Sequence, residues 1–116
     1  MSAPGDITEV MALDRLVHEP ARLLILAVLS GAKLVEFGFL EQVSGLSKGN
    51  LSSHMSKLEA GGLIEVKKSF RGKRPLTELC ITPAGRRALA NYRRQLATVM
   101  QGIPAPASPT KRRREE

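Results

Sequence analysis

Residues 44–61, SGLSKGNLSSHMSKLEAG, carry a dense group of side chains that can donate hydrogen bonds. Ser47 is placed as an N-cap, because its hydroxyl can accept a hydrogen bond from the free N–H groups that begin a helix. Leu51, Met55 and Leu58 then recur at spacings of four and three residues, which places them on one helical face. The opposite face is short, polar and basic, and its side chains are those of Lys48, Asn50, Ser52, Ser53, His54, Ser56 and Lys57. Such a face indicates a partner that presents hydrogen-bond acceptors.

The net charge indicates that this partner is a polyanion. The chain has 116 residues and a formal net charge of +7 at pH 7, so we expect one basic domain. Nucleic acid is the first candidate and an anionic membrane surface is the second. No apolar run approaches the roughly 18 residues of a membrane span, and no basic helix exposes the bulky apolar residues of a surface binder.

Cysteine usage and the N-terminal sequence bear on the location of the protein. The single cysteine, Cys80, excludes an internal disulfide and fits a reducing compartment. The first residues lack a basic segment followed by an apolar core, so no secretory signal is expected. We therefore predict a cytoplasmic, nucleoid-associated protein. Because Cys80 has no second thiol or histidine nearby in the sequence, we expect a structural role for it, with no metal and no cofactor.

Helical periodicity and capping residues predict five helices. Segment 20–30, PARLLILAVLS, is apolar on nearly every side and should form the centre of the core. A short helix over 37–44 would bury Phe37, Leu40 and Val43, and Thr82 followed by Pro83 is a further cap. The predicted helices span residues 7–18, 20–30, 37–44, 48–60 and 83–100.

Two strand-like stretches, 63–69 and 75–82, surround Gly72 and predict a hairpin. Residues 34–36 could form a very short additional strand. The folded domain should cover residues 6–101. Residues 1–5 are expected to be a flexible N-terminus, and residues 102–116, which are Pro-rich and then basic, are expected to be a disordered tail.

The hairpin is predicted to carry a second basic surface. It has five basic residues and no acid between positions 67 and 74. Such side chains can neutralise phosphates, and arginine is also favoured in the minor groove of DNA. Because Lys67 and Lys68 alternate sides of a strand, one of them should face the partner. A solvated loop is the alternative.

Most of the chain, residues 12–95, resembles a known family. The sequence is similar to the short stand-alone winged-helix transcriptional regulators related to the MarR and ArsR groups. The resemblance is carried by LDRLVHEPARLLILAVL at 13–29, GLSKGNLSSHMSKLEAGGLIEVKKSFRGKRPLTEL at 45–79 and ITPAGRRAL at 81–89.

The resemblance implies a fold that is mainly α with a small β-hairpin, a winged helix-turn-helix. It also implies a homodimer that regulates transcription by sequence-specific binding of double-stranded DNA, with helix 48–60 in the major groove and the wing, residues 67–75, on the backbone or minor groove. The chain departs from the family pattern at Phe39, where a polar residue is usual, and at Ser53, where arginine is common. Phe39 could mark extra packing against the N-terminal helix.

The residue types of these two segments suit groove readout. Asparagine can pair bidentately with adenine, lysine can bind guanine, and serine can bind either base. His54 has several open readings: a base or phosphate contact, a pH-sensitive group, or a neutral ring that is either solvent-exposed or packed. A capped, solvated helix remains the alternative for the whole face. The predicted DNA-binding residues are Ser47, Lys48, Asn50, Ser52, Ser53, His54, Lys57, Lys68, Arg71, Lys73 and Arg74.

An apolar seam on the last helix is the candidate dimer interface. Its residues recur at spacings of three and four, and a seam at the end of a domain has little of that domain left to cover it. Ordinary core is the alternative reading. The predicted interface residues are Leu89, Tyr92, Leu96 and Val99 of this seam, with Ile7 and Val10 contributed by the predicted helix 7–18.

Two other classes of function were weighed against DNA binding. A winged helix can serve as a protein-interaction module, here docking an acidic partner through the basic wing. An enzyme is not expected, because the sequence shows no nucleophile–base pair, carboxylate pair, phosphate-binding glycine loop or metal-spaced cluster. The operator, the sign of regulation and any small-molecule effector are not specified by the sequence.

Overall fold

The computed structural model describes residues 14–102, along which helices and a small sheet alternate. The elements are α1 (Pro20–Ser30), β1 (Val35–Glu36), α2 (Phe37–Ser44), α3 (Lys48–Ala60), β2 (Ile64–Arg71), β3 (Arg74–Ile81) and α4 (Pro83–Gly102). The sheet is antiparallel with strand order β1-β3-β2, and we call its β2–β3 pair the hairpin. The predicted class, helix-rich with a small β-hairpin, is confirmed.

Side-chain caps set the starts of α3 and α4. The Ser47 hydroxyl accepts from the Asn50 N–H at 3.1 Å, and the Thr82 hydroxyl accepts from the Gly85 N–H at 3.0 Å. Both bonds satisfy N–H groups that have no partner within the helix. The caps predicted at Ser47 and Thr82 are therefore confirmed.

The core forms where α1 packs against α2, α3 and β3. The inner face of α1 consists of Ile25, Leu26 and Leu29, which are at most 1% exposed. Burying each such side chain contributes roughly 1.5–3 kcal/mol, so α1 holds the domain together as its composition predicts. The other elements contribute the buried residues Leu40, Leu51, Met55, Leu58, Leu63, Ile64, Leu79 and Ile81.

The hairpin closes through a two-residue turn. Arg71 pairs with Arg74, and Gly72 between them has a φ of 65°, a left-handed conformation that glycine adopts without strain. The strands thus reach further towards the turn than predicted and stop short of residues 63 and 82. Pro75 is tolerated in β3 because β1 pairs only with Glu78 and Leu79, which leaves the other edge of β3 open at Pro75.

The predicted helix over 7–18 is wrong for its described part. Residues 15–17 form a turn, in which the Asp14 carboxylate accepts from the Leu16 N–H at 2.9 Å. The chain then becomes extended at Glu19, since a residue that precedes proline is disfavoured in helical conformation. The predictions for residues 1–13 and 103–116, including the tail, lie outside the described residues.

The prediction that Val43 is buried is also wrong. Val43 is 45% exposed, whereas Leu40 is 1% exposed. Three residues along a helix rotate the side chain by roughly 60° from the starting direction, and α2 is covered by its neighbours only on the Leu40 side. Phe39, which departs from the family pattern, is 49% exposed.

Two compact units divide the described chain: Asp14–Arg93, which holds every element up to the first half of α4, and a second that includes Arg94 onwards. Within residues 14–102, no helix has both the length and the apolar character needed to span a bilayer.

Candidate nucleic-acid interface

The outward face of α3 is built from small and polar residues. Leu51 and Leu58 are fully covered and point the helix's apolar side at the core. At about 100° per residue, the opposite side is centred on Gly49, Ser53 and Ser56, all exposed. No atom lies within 4 Å of the position that a Cβ of Gly49 would take. A partner can therefore approach the backbone of α3 closely along this line.

Longer donors flank the small residues of α3. Asn50 and Lys57 are exposed on one flank, and Lys48 and Ser52 are exposed on the other. The Lys48 ammonium lies 3.1 Å from the Glu41 carboxylate, but its side chain remains 78% exposed. Because an exposed ion pair is worth at most about 1 kcal/mol, Lys48 is free to exchange Glu41 for a phosphate or a base.

Strand pairing assigns every hairpin residue to one of two faces. Ile64 pairs with Ile81, and the alternate positions that follow, up to Phe70 opposite Pro75, lie on the same face as this buried pair. The other face carries Lys67 opposite Glu78. Lys68, not Lys67, is therefore on the face that the hairpin turns towards the helices.

A groove separates α3 from the hairpin. Its volume is about 300 Å³, and Lys68 stands on its hairpin side while Ser52 and Ser56 stand on its α3 side. Met55 and Val66 supply apolar lining between them. The structure thus places two predicted DNA-binding surfaces, the outward face of α3 and Lys68 of the hairpin, on the two sides of this groove. Ser56 and Thr77 also line the groove and were not predicted as site residues, although helical geometry places Ser56 beside Ser52 and Ser53.

This arrangement of a small-residue helix beside a basic hairpin has counterparts among known proteins. Residues 21–100 match the family of winged helix DNA-binding domains. The chain belongs to this family. In a winged helix the β2–β3 hairpin is the wing, and it is called the wing from here on.

Individual relatives agree with the family assignment. A protein of Methanocaldococcus jannaschii of unassigned function is 36% identical over 89 residues, which cover 77% of this chain and 97% of that protein. The HTH-type transcriptional regulator YgaV of Escherichia coli is 37% identical over 57 residues, 49% of this chain and 58% of that protein.

Solved structures show the same fold. A transcriptional regulator homologue from Pyrococcus horikoshii superposes with a TM-score of 0.76 at 29% identity, covering 85% of this chain and 97% of that one. A MarR-family protein from Porphyromonas gingivalis has a TM-score of 0.60 at 20% identity, covering 87% and 95% of the two chains, and supports the fold alone. The relatives whose names give a role are transcriptional regulators, and this chain shares with them the winged helix DNA-binding domain.

The side chain of His54 does not lie on the outward face of α3. Its Nδ1 lies 3.1 Å from a terminal nitrogen of Arg22 and 3.7 Å from the Glu19 carboxylate, and its side chain is 20% exposed. The contact with Arg22 and the approach of Glu19 hold the His54 ring on the side of α3 that faces the start of α1. Of the open readings for His54, the packed ring agrees with this placement.

Arg22 is a positioning residue that the sequence reasoning missed. Its Nε donates to the Leu16 carbonyl at 2.7 Å, and another nitrogen donates to the Arg15 carbonyl at 3.3 Å. Together with the His54 contact, these bonds tie the turn before α1 to α3. The available signal was a single arginine within the otherwise apolar segment 20–30, since a lone charge in such a segment needs partners.

Glu19 completes this cluster as the N-cap of α1. Its carboxylate accepts from the Arg22 N–H at 2.8 Å. Desolvation by burial acts to raise the pKa of Glu19, but the backbone N–H of Arg22 and the nearby His54 and Arg22 side chains outweigh it. The pKa of Glu19 is therefore below its ordinary value of 4.5.

The remaining predicted wing residues are exposed at or near the turn. Arg71 donates to the Glu36 carboxylate at 3.0 Å and shares the outer face with Arg74, its cross-strand partner. Lys73 lies in the turn itself. Arg71 and Arg74 therefore lie on the opposite face of the wing from Lys68. Only residues close to the tip can extend to a partner on either face.

The base of the wing is held by Thr82. The Thr82 N–H donates to the Leu63 carbonyl at 3.0 Å, and its hydroxyl donates to the Gly62 carbonyl at 2.7 Å. Gly62 has a φ of 77°, so glycine is favoured there. Gly85 is buried directly beside Leu63, where an added Cβ would overlap the Leu63 carbonyl oxygen. These contacts join the start of β2 to the start of α4.

Part of the predicted dimer seam is covered by the chain itself. Leu89 is 8% exposed and Tyr92 is 5% exposed, and the Tyr92 hydroxyl lies 2.8 Å from Nδ1 of His18. Both residues therefore correspond to the ordinary-core alternative. In the unit that begins at Arg94, Val99 is buried and Leu96 is half-buried. Ile7 and Val10 lie outside the described residues.

Cys80 is half-buried in β3, on the outer face of the wing. Its Sγ lies 3.7 Å from the carboxylate of Glu65, its cross-strand neighbour. Among the described residues, no group of three or more histidine, cysteine, aspartate or glutamate side chains is arranged to hold a metal ion.

Proposed function

We propose that this winged helix is a sequence-specific transcriptional regulator that binds duplex DNA as a homodimer. In this proposal α3 enters the major groove and the wing contacts the backbone and minor groove beside it. The observation that carries the proposal is the outward face of α3, where exposed small residues are flanked by exposed donors. The major groove admits one helix, and its base edges present acceptors to such donors.

Asn50 and Lys57 are the strongest candidates for base readout on α3. Both side chains are exposed and flank the line of Gly49 and Ser53, so they reach outward without hindrance. An asparagine that pairs bidentately with adenine discriminates against other bases by about 1–3 kcal/mol. Ser47 is committed to its cap, and His54 is directed towards Arg22, so neither is assigned a base contact here.

Lys68 is the wing residue that supports the proposal most directly. It stands across the groove from α3, so a duplex seated on α3 lies against it. Lys73 and Arg74 at the tip are exposed and can neutralise further phosphates. Arg71 can do so only after it leaves Glu36, a loss that is small for an exposed pair.

The proposed dimer places its interface towards the end of α4. Leu96 is half-buried and Met100 is 66% exposed, and the two are one helical turn apart. Leu89 and Tyr92 are already covered by the chain itself, so they are not assigned to this interface. A second copy would present a second α3, and the bound sequences would then be inverted repeats.

The test begins by selecting bound duplexes from a random pool with the full-length protein. The expected result is an enriched inverted repeat, together with a dimer in analytical ultracentrifugation. Affinity for that duplex is then measured against salt for wild type, Lys68→Ala and Lys67→Ala. The last variant is the matched control, because it removes the same charge one position along β2 on the opposite face.

Lys68→Ala removes one phosphate contact from each subunit, so the fall of log affinity with log salt should become less steep by about 0.9 per subunit, or about 1.8 for the dimer. Lys67→Ala should leave the slope nearly unchanged. Asn50→Ala should relax the preference at one base pair in each half-site. If no duplex is enriched and affinity does not depend on salt, the proposal fails, and an acidic protein partner becomes the better explanation of the basic wing.

A further inference from the structure

Phe70 is an apolar side chain in an unexpected place. It is 70% exposed, the most exposed of the large hydrophobic residues in the described part of the chain. The chain has only three phenylalanines and one tyrosine. Covering a phenylalanine is favourable because it removes apolar surface from water, and the free protein leaves most of this ring uncovered.

The immediate surroundings of Phe70 are basic. Arg71 follows it in β2, and Lys73 and Arg74 form the turn and the start of β3. Its cross-strand neighbour is Pro75, which is also exposed. The wing tip thus combines an apolar pair on one face with Lys73 in the turn and with Arg71 and Arg74 on the other face. The matching surface has an apolar interior between two anionic rims, which describes the minor groove, with sugars inside and phosphates along both edges.

The position of Phe70 on the wing also fits DNA. Phe70 is on the same face as Val66 and Lys68, the two residues of β2 that line the groove beside α3. Four residues of strand place it about 13 Å further out than Val66. A duplex repeats every ~34 Å, so a minor groove is centred about 17 Å from the adjacent major groove. The separation of Phe70 from Val66 is therefore comparable with the separation of neighbouring major and minor grooves.

We propose that Phe70 is a minor-groove wedge, which enters beside the major groove occupied by α3 and partly unstacks one base step. This inference rests on the proposed function. It adds two expectations: the bound DNA is bent, and the protein prefers certain sequences at a base step that α3 does not contact. Unstacking is least costly at flexible TA and CA steps, so the bound sequences should carry such a step on the outer side of each half-site. Pro75 lies opposite Phe70 on the neighbouring strand.

The test uses the full-length protein and its selected duplex, with 2-aminopurine replacing adenine at successive steps. The variants are Phe70→Ala, Phe70→Leu and Phe39→Ala. Leucine is an accepted wedge residue, and Phe39 is a matched control because it is also an exposed phenylalanine, 49% exposed, on α2 rather than on the wing. Affinity, 2-aminopurine fluorescence and end-to-end energy transfer across the duplex are measured for each.

Wild type should raise the fluorescence at one step in each half-site and shorten the end-to-end distance. Phe70→Ala should abolish both signals and weaken binding about tenfold, while Phe70→Leu should keep most of both signals. Phe39→Ala should behave as wild type. Because Phe70 is exposed, its replacement should leave the thermal midpoint unchanged, which separates a binding defect from a folding defect.

Salt-dependent binding by wild type with no fluorescence rise at any step would overturn the wedge and leave the proposed function standing. Equal signals for wild type and Phe70→Ala would do the same. Loss of the dimer in Phe70→Ala would also overturn the wedge, since it would assign Phe70 to a contact between copies. Absence of any duplex binding by wild type would overturn both proposals.

Discussion

The helix α3 and the wing are supported in different ways. Three apolar residues of α3 face the core, two of them fully covered, and the contact between His54 and Arg22 adds a polar attachment. The wing is buried only at its base, where β2 and β3 meet the core, and its residues from Lys67 to Pro75 are exposed. Its tip is positioned by strand pairing, by the exposed ion pair of Arg71 with Glu36, and by the contacts of Thr82 and Gly85 at the base.

This difference distinguishes the residues that stabilise the fold from the residues that are exposed for binding. A change beneath α3 or at the wing base alters stability first, and DNA affinity follows. A change on the outer face of α3 or at the wing tip alters affinity alone, because those side chains have few internal partners to lose. Three substitutions test this separation at the supporting residues, and the salt and wedge experiments test it at the presented ones.

Gly85→Ala should have the largest effect on stability. An added Cβ would overlap the Leu63 carbonyl oxygen and lie 2.7 Å from Cγ1 of Ile81, and a backbone atom cannot move aside as a flexible side chain does. We expect a loss of about 3 kcal/mol or failure to fold, measured by urea unfolding followed by circular dichroism. A urea midpoint equal to that of wild type would show that the start of β2 can move away from α4 without loss of stability.

Gly49→Ala is the matched control for that substitution. Gly49 is also helical, but nothing lies within 4 Å of the added Cβ. Alanine is favoured over glycine inside a helix by about 0.8–1 kcal/mol, so the variant should be as stable as wild type or more so. It should still weaken DNA binding if α3 approaches bases closely at this position.

Thr82→Val should have an intermediate effect. Valine keeps the shape of the side chain but loses the hydroxyl, which donates to the Gly62 carbonyl and accepts from the Gly85 N–H. We expect a loss of about 1–2 kcal/mol in the free energy of unfolding. Thr82→Ser, which retains the hydroxyl, should lose much less. If the two variants are equally stable, the hydroxyl contributes nothing to the wing base.

Glu19→Gln should have the smallest effect, and its effect should depend on pH. The pKa of Glu19 is lowered in the folded protein, so the charged form stabilises the fold above the ordinary value of 4.5. That contribution is lost as the pH falls through the lowered pKa. Wild type should therefore exceed the variant by on the order of 0.5 kcal/mol at neutral pH.

The measurement is the difference in unfolding free energy between wild type and Glu19→Gln across the acid range. The difference should shrink towards low pH, where both side chains are uncharged. A difference that is constant with pH would show that the carboxylate acts only as a neutral acceptor for the Arg22 N–H.

Much of the fold could be predicted from local patterns. The nearly continuous apolar character of 20–30 indicated α1, and the spacing of apolar residues indicated α3 and α4. The caps at Ser47 and Thr82 indicated where α3 and α4 begin. The pattern failed at residues 14–18, because the Asp14 side chain stabilises a turn and Pro20 forces Glu19 into an extended conformation. It failed at Val43, because a short helix does not reveal how wide its buried face is.

The sequence by itself determined the basic charge, the helix-turn-helix order, the hairpin and the polar character of α3, since each depends on residues close in the chain. Only the tertiary structure decided that Lys68 rather than Lys67 faces α3, that His54 meets Arg22, and that Phe70 stands exposed on the α3 side of the wing. Those outcomes depend on strand register and on which helices meet. Register and packing are set by burial across the whole domain, to which distant segments contribute jointly.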